Sequence, residues 1–321
     1  MNKTTKIWLI VAALLVAVGL IAFAVIMTIN GWDFTKLGTG KYETNTYEIN
    51  EAFSNISIKT NTADITLVPS DNEGCRVVCK EEENAKHSVS VVDGTLTVNI
   101  VDTRKWYEHI SIYSEASKIT VYLPESEYSS LVIKGSTSDI EISKDFKLEG
   151  IDISVSTGDV KCYASATRAI KIEASTGGIS VENILAESLE LSASTGNITI
   201  SGVTCVGDIT VRVSTGKVRL ADISCKSVIS SGSTGDISLN NVIATEKLSI
   251  ERDTGDVSLN SCDAAEIYVE TDTGEVEGTL LSEKVFITNT DTGDIDVPSS
   301  VTGGRCEITT DTGDIKIDII S

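Results

Sequence analysis

Nine Ser/Asp-Thr-Gly triplets, spaced nineteen or twenty residues apart, constrain this chain more than any other feature. Their glycines are Gly158, Gly177, Gly196, Gly216, Gly235, Gly255, Gly274, Gly293 and Gly313. A period of this size marks a solenoid, whose repeats bury their apolar faces only by stacking on one another. Apolar residues alternate on both sides of each glycine, as in Ile170 and Ile172 before Gly177 and Ile179 and Val181 after it. Period two is the signature of a strand. One coil therefore reads as strand, tight turn, strand, second turn, and the fold class as an all-β, single-chain parallel β-solenoid.

The triplet suits a reversal between two strands that share one core. Such a turn needs positive φ, which glycine adopts without a Cβ clash. The residue before Thr is Ser at 156, 175, 194, 214 and 233, and Asp at 253, 272, 291 and 311. Either could accept a backbone hydrogen bond and close the turn. Equivalent strands of neighbouring coils would pair in parallel about 4.8 Å apart, so nine coils would make a rod of roughly 40–45 Å.

An N-terminal helix is expected ahead of the solenoid. Residues 1–6 read as a cytoplasmic tail carrying Lys3 and Lys6, and 7–29 as an uncharged apolar run long enough to span a bilayer. The lysines place the N-terminus inside and the remainder outside. Ala22-Phe23-Ala24 offers the competing reading of a cleaved signal peptide, but the apolar run continues past it. Residues 30–50 read as a juxtamembrane linker, 51–130 as an N-terminal β region and cap, and 131–321 as the repeats. Within the cap, Ala63 and Ser138 occupy glycine slots of degenerate repeats. Asp93-Gly94 turns a hairpin between Val89/Val91 and Leu96/Val98. Glu81 to Glu83 and His87 read as exposed, and Trp106 and Tyr107 as an irregular loop.

Formal net charge is −21. Nothing basic is available to neutralise phosphates, which excludes nucleic acid as a partner. The seven cysteines show no CxxC and no Cys/His cluster in sequence, so they read as small buried hydrophobes. Cys205 and Cys225 would stack on adjacent coils, where parallel Cβ vectors suit a disulfide poorly.

Taken in order, the motifs resemble a bacterial family of membrane-anchored, extracytoplasmic β-solenoid domains known as "putative adhesins", of unknown biochemical function. The resemblance is carried by Phe53-x-x-Ile56-x-Ile58, Ala63-Asp64-Ile65-x-Leu67-x-Pro69, Asp93-Gly94-Thr95-Leu96-x-Val98, Ile119-x-Val121-x-Leu123-Pro124 and the Thr-Gly-Asp-Ile-type repeats. It implies a role at the cell envelope, in some relatives linked to envelope stress, and no catalytic residue.

Asp-Thr-Gly is also the catalytic triplet of aspartic proteases, which bring two copies together to share a proton. Four copies at solenoid period, each followed by another acid, do not fit that use. A polysaccharide-active β-helix enzyme is the alternative reading. It would need convergent carboxylates and sugar-stacking aromatics on one face, whereas Phe146, Tyr163, Tyr268 and Phe286 do not share a column.

The last four triplets have acids on both flanks: Asp253/Asp256, Asp272/Glu275, Asp291/Asp294 and Asp311/Asp314. Like charges about 4.8 Å apart repel by about 0.9 kcal/mol in water and about 3.5 kcal/mol at an effective dielectric of 20. Two readings remain open: solvated caps of the turns, or a weak Ca²⁺ site built from oxygen ligands. No other cofactor is expected. The expected partners are the membrane, an envelope or cell-wall component, and a second copy through the C-terminal edge next to Ile317, Ile319 and Ile320, unless Lys316 and Asp318 blunt that edge.

Overall fold

The computed structural model describes residues 2–33, 41–71, 73–104 and 116–320. Trp106, Tyr107 and their neighbours lie outside them. One α-helix, Lys3–Ile29, is long and apolar enough to cross a membrane. Among the described residues every other helix or strand element is a strand. The segment read as a linker over 30–50 is corrected in part: Tyr42–Ile49 is a strand, antiparallel to Cys75–Glu82.

A typical coil runs Ala169–Thr176, turns at Gly177, and continues as Ile179–Glu182 and the short Leu185–Ala186 before the next coil starts at Ser188. The parallel register stacks like on like. Ile151, Ile170, Leu189, Ile209, Val228, Leu248 and Ile267 form one inward column. Ile140, Val160, Ile179, Ile198, Val218, Ile237, Val257 and Val276 form another. All are buried in one continuous core. Each such side chain contributes about 1.5–3 kcal/mol by leaving water, which no coil could gain alone.

The turn glycines meet two demands. Gly158, Gly177, Gly196, Gly216, Gly235, Gly255, Gly293 and Gly313 all have φ between 126° and 153°. The ladder also runs straight through the corner. Gly177 N donates to Thr195 O at 2.9 Å, and Gly235 N to Thr254 O at 2.9 Å. A Cβ on Gly235 would therefore lie 2.2 Å from Gly216 O, and one on Gly274 lies 2.1 Å from Gly255 O. Ala63 and Ser138 do share the glycine column, since Ile65 pairs with Ile140 and Ile140 with Val160. A second corner recurs as Asn183, Gly202, Asp222, Asn241 and Ser261, all at φ near 55–63°. Asn and Asp tolerate that left-handed conformation, and this column carries no motif obvious in the sequence.

Both ends of the rod depart from chain order. At the first end, Asn55–Thr60 and Ala63–Pro69 lie between the coil of residues 127–142 and an outer coil made of Thr95–Asp102 and Ser117–Leu123. Antiparallel strands then close that end. Ala85–Val92 pairs with Thr95–Asp102 through the expected hairpin, whose Asp93 and Gly94 both have positive φ. Cys75–Glu82 pairs with Ser117–Leu123.

At the other end the chain steps over a level. Glu266–Thr273 pairs not with Lys284–Thr292 but with Gly304–Thr312, and Lys284–Thr292 pairs with the far side of Gly304–Thr312. Ile315–Ile319 likewise sits between Val276–Leu280 and Ile295–Asp296. The expectation that the C-terminal strand, next to Ile317, Ile319 and Ile320, forms the outer edge is corrected: the outermost coil is residues 284–296.

Burial explains this order. The inserted coil turns Cys306, Ile308, Ile315 and Ile317 inward, whereas the outer one offers Phe286, Thr288 and Ile295. The reverse order would bury Thr288 and leave Ile308 at the end. Two glycines admit the inserted strand. A Cβ on Gly303 would meet Glu283 O at 1.7 Å, and one on Gly304 would meet Ala265 O at 2.0 Å. The buried Lys284 anchors the step by donating to Asp263 Oδ1 at 2.6 Å and Ser282 Oγ at 2.5 Å.

All seven cysteines are free and buried, including the stacked Cys205 and Cys225. Burial raises their thiols, Cys162, Cys205 and Cys262 to about 11 and Cys75, Cys79, Cys225 and Cys306 to about 12. The folded state thus holds these protons more tightly than the unfolded chain, where thiols ionise near 9.0. Their contribution is complete below that value and is lost as pH rises toward 12. Stability should fall steadily from pH 9 upward, and native protein at pH 8 should resist alkylation while the denatured chain takes up seven labels. Thiols that label at the native rate of a free peptide would contradict this burial.

The corner geometry predicts a contrast between two glycines. Gly235→Ala should destabilise by about 3 kcal/mol or more, through strain and steric overlap together. Gly94→Ala, at φ +70° with nothing within 4 Å of the new Cβ, should cost only about 1 kcal/mol. Urea denaturation of the two variants decides the point; equal losses would mean that φ alone selects glycine.

Candidate functional site

The structure assembles the acidic residues into two columns and reorders them. Along the rod the first runs Asp253, Asp272, Asp311, Asp291, and the second Asp256, Glu275, Asp314, Asp294. All eight are exposed.

Their roles differ. The residue after the glycine uses its side chain to hold the next coil. Asp139 Oδ1 accepts from Asp159 N at 2.8 Å, and Asp159 Oδ1 from Gly178 N at 2.7 Å. Asn197 Oδ1 accepts from Lys217 N at 2.9 Å, Asp256 Oδ1 from Glu275 N at 2.9 Å, and Asp314 Oδ1 from Asp294 N at 2.8 Å. Charge-assisted bonds of this kind offset the repulsion expected between stacked carboxylates. Where Lys217 interrupts the column, its Nζ meets Asp236 Oδ2 at 2.8 Å, and this contact holds the Asp236 carboxyl below its ordinary range.

The expectation that the Ser or Asp before Thr caps the turn is corrected. Among the described residues, Asp253, Asp272, Asp291 and Asp311 make no side-chain hydrogen bond. The turn is closed from the neighbouring coil instead. These four carboxylates keep both oxygens free, and a divalent cation would find its ligands there.

A second polar cluster lies in the cap. Cys79, Glu81 and His87 are all buried, with potential ligand atoms within 4.8 Å of one another. The reading of Glu81 and His87 as exposed is corrected. Both point inward because they continue the alternation of their strands, Glu81 following Cys75, Val77 and Cys79. Glu81 Oε2 accepts from His87 N at 2.6 Å and lies 2.7 Å from His87 Nδ1. Glu81 Oε1 accepts from Asn45 Nδ2 at 2.9 Å. His87 Nε2 lies 2.9 Å from Thr60 Oγ1, and Tyr47 Oη donates to His87 O at 3.0 Å. Every polar atom of the pair is satisfied, so the cluster reads as a strut that ties Tyr42–Ile49 and the hairpin to the first coil. Sequence inspection missed it because its members come from four strands.

An open groove of about 1000 Å³ runs along the third side of the coils. Tyr128, Phe146, Ala166 and Ala186 form its buried floor, and Leu185 and Val206 stand on its lips, 63% and 83% exposed. Glu127, Glu149 and Glu187 line it as well. The aromatic rings lie in the floor and present no open face for stacking on a sugar.

Fold and surfaces together define an all-β parallel solenoid preceded by an apolar helix. The chain belongs to the family described as Toastrack DUF4097, matched over residues 53–212 and 204–321. No curated relative matches it. Among solved structures it is similar to a "putative lipid binding protein" from Parabacteroides distasonis ATCC 8503, with 20% identity, a TM-score of 0.49, and coverage of 88% of this chain and 98% of that one. It is also similar to a "putative adhesin" from the same organism, with 13% identity, a TM-score of 0.43, and coverage of 85% and 98%. A "putative adhesin" from Bacteroides fragilis NCTC 9343 has 15% identity, a TM-score of 0.45, and coverage of 88% and 99%.

The strut carries a test. His87→Ala removes the ring nitrogen that faces the buried Glu81 Oε2 and the one that faces Thr60 Oγ1, leaving only the backbone N–H of residue 87 on that carboxylate oxygen, and should destabilise by about 3 kcal/mol. The double variant Glu81→Leu/His87→Phe should recover part of that loss, because no buried acceptor is then stranded. A His87→Ala chain with an unchanged urea midpoint would deny the strut its role.

Proposed function

We propose that this protein is a membrane-anchored, extracytoplasmic interaction module of the cell envelope, adhesin-like in use and not an enzyme. The observation that carries this reading is the disposition of its polar chemistry. Carboxylates form extended columns bonded from coil to coil, and the buried Glu81–His87 pair is fully engaged in holding the cap. Asp139 and Asp159 line a small open pocket of about 240 Å³, but each already spends its Oδ1 on a backbone N–H of the neighbouring coil. What remains exposed is elongated: a groove, two acidic columns and the sides of a stiff rod. Surfaces of this form suit a protein or polymer partner better than a small molecule. The lysines at positions 3 and 6 support a cytoplasmic N-terminus, and the uninterrupted helix Lys3–Ile29 supports retention of the anchor.

Two measurements test the proposal. Intact mass of membrane-extracted protein should include Met1 or Asn2 through Ser321, and a mature terminus at Val25 would replace the anchor with a cleaved signal. Cross-linking in the intact envelope should capture a discrete envelope or cell-wall partner on the solenoid; turnover of an envelope polysaccharide by the purified chain would favour the enzyme instead.

A further inference from the structure

The outermost coil ends the parallel stack on an unpaired sheet edge. Lys284–Thr292 is paired on one side only, with Gly304–Thr312; among the described residues no strand lies on its other side. Edge strands are ordinarily blunted by charge, proline or a covering loop. From Val285 to Thr290 this one has six consecutive uncharged residues and no proline. The core is open beneath it: the inward Phe286 and Thr288 are only half-buried and Ile295 is 45% exposed, while Ile287 lies on the outer face beside Glu307. The opposite end of the rod, by contrast, is closed by antiparallel strands, and Tyr42–Ile49 brings the chain into the solenoid there.

We infer that this edge is a docking surface for a second copy of the chain, joined end to end by antiparallel pairing of Lys284–Thr292 with its mate about a two-fold axis at Thr288. The inference rests on the reading of the solenoid as an interaction module and names its partner. Three features select a second copy. Pairing Thr288 with Thr288 places Phe286 opposite Thr290 and Ile287 opposite Asn289, so inward residues stay inward and the two open cores become continuous.

Charge is complementary under the same operation. Val285, beside Arg305 in the ladder, comes opposite Asp291 of the mate, so each Asp291 approaches the exposed Arg305 of the other copy across Val285. Arg305 already holds Glu307 at 2.7 Å, which fixes the guanidinium on the outer surface. A parallel, head-to-tail addition would instead have to meet the opposite end of the rod, which antiparallel strands close. Finally, a two-fold contact is closed: it consumes both edges and stops at a dimer. With one capped end per copy, the pair would be a rod of doubled length with the two N-termini at its far ends, as a contact between facing membranes requires.

The test uses the full chain in detergent micelles at physiological ionic strength, where the overall charge is screened beyond about 8 Å. Sedimentation should show a monomer–dimer equilibrium, and Ile287→Lys, an exposed change that leaves the core untouched, should weaken association about ten-fold or more. Thr288→Cys should form an intermolecular disulfide under mild oxidation, while Ile229→Cys, exposed mid-rod, should not. A monomer at high concentration, or a dimer that survives Ile287→Lys without the Thr288→Cys cross-link, overturns the inference. Capture of an envelope partner that is unaffected by Ile287→Lys would leave the module reading standing while the self-pairing fell.

Discussion

The backbone ladder that passes unbroken through every Thr-Gly corner is the constraint on which the rest of this structure depends. In most sheets the ladder stops where the strand turns. Here the N–H of every turn glycine except Gly293, in the outermost coil, still reaches the Thr carbonyl of the next coil, as between Gly196 and Thr215 at 3.0 Å. A continuous ladder fixes the coil-to-coil step at the corner as firmly as in the strands. It also brings a carbonyl oxygen to the place a Cβ would occupy. Glycine is therefore required by the neighbour as much as by φ, which is why the residue recurs while its flanks vary among Ser, Asp, Asn, Lys and Glu.

The acid that follows many of these glycines is part of the same device. Stacked carboxylates should repel, yet Asp139, Asp159, Asp256 and Asp314 each reach an N–H one coil away and set hydrogen bonds along a column of like charge. An Asn serves equally at position 197 because the bond needs an acceptor oxygen and not a charge. The carboxylates before Thr have no such partner. They leave one edge of the rod strongly acidic without contributing to the stack. Structure and surface charge are thus set by two columns only three residues apart in sequence.

The ends obey a different logic. A stack of equivalent coils has no internal reason to stop, so each end must be finished by something other than the repeat. At the first end antiparallel strands and a buried Glu81–His87 pair close the core. At the other the chain builds an outer coil and then returns beneath it, held by Lys284 and admitted by Gly303 and Gly304. That arrangement protects Ile308, Ile315 and Ile317 and leaves the more polar Thr288 toward the outside. The edge that results is defined by residues well before the end of the described chain.

How much of this was legible beforehand follows from what a period can encode. Alternation about each glycine established parallel strands, inward columns and the solenoid itself, because burying one face of a two-residue period admits no other register. Asp93-Gly94 likewise announced its hairpin through the positive φ that both positions must adopt. The apolar run at 7–29 announced a helix. The burial of His87 and Glu81 was not legible, since it comes from four strands meeting, and an acid beside other acids reads locally as solvated. Nor was the order of the last coils. Asp291-Thr292-Gly293 and Asp311-Thr312-Gly313 satisfy the same corner equally well, so the repeat pattern is indifferent to which lies outside. Only the packed structure, weighing Thr288 against Ile308 in the core and two glycines against the backbones they pass, decided it.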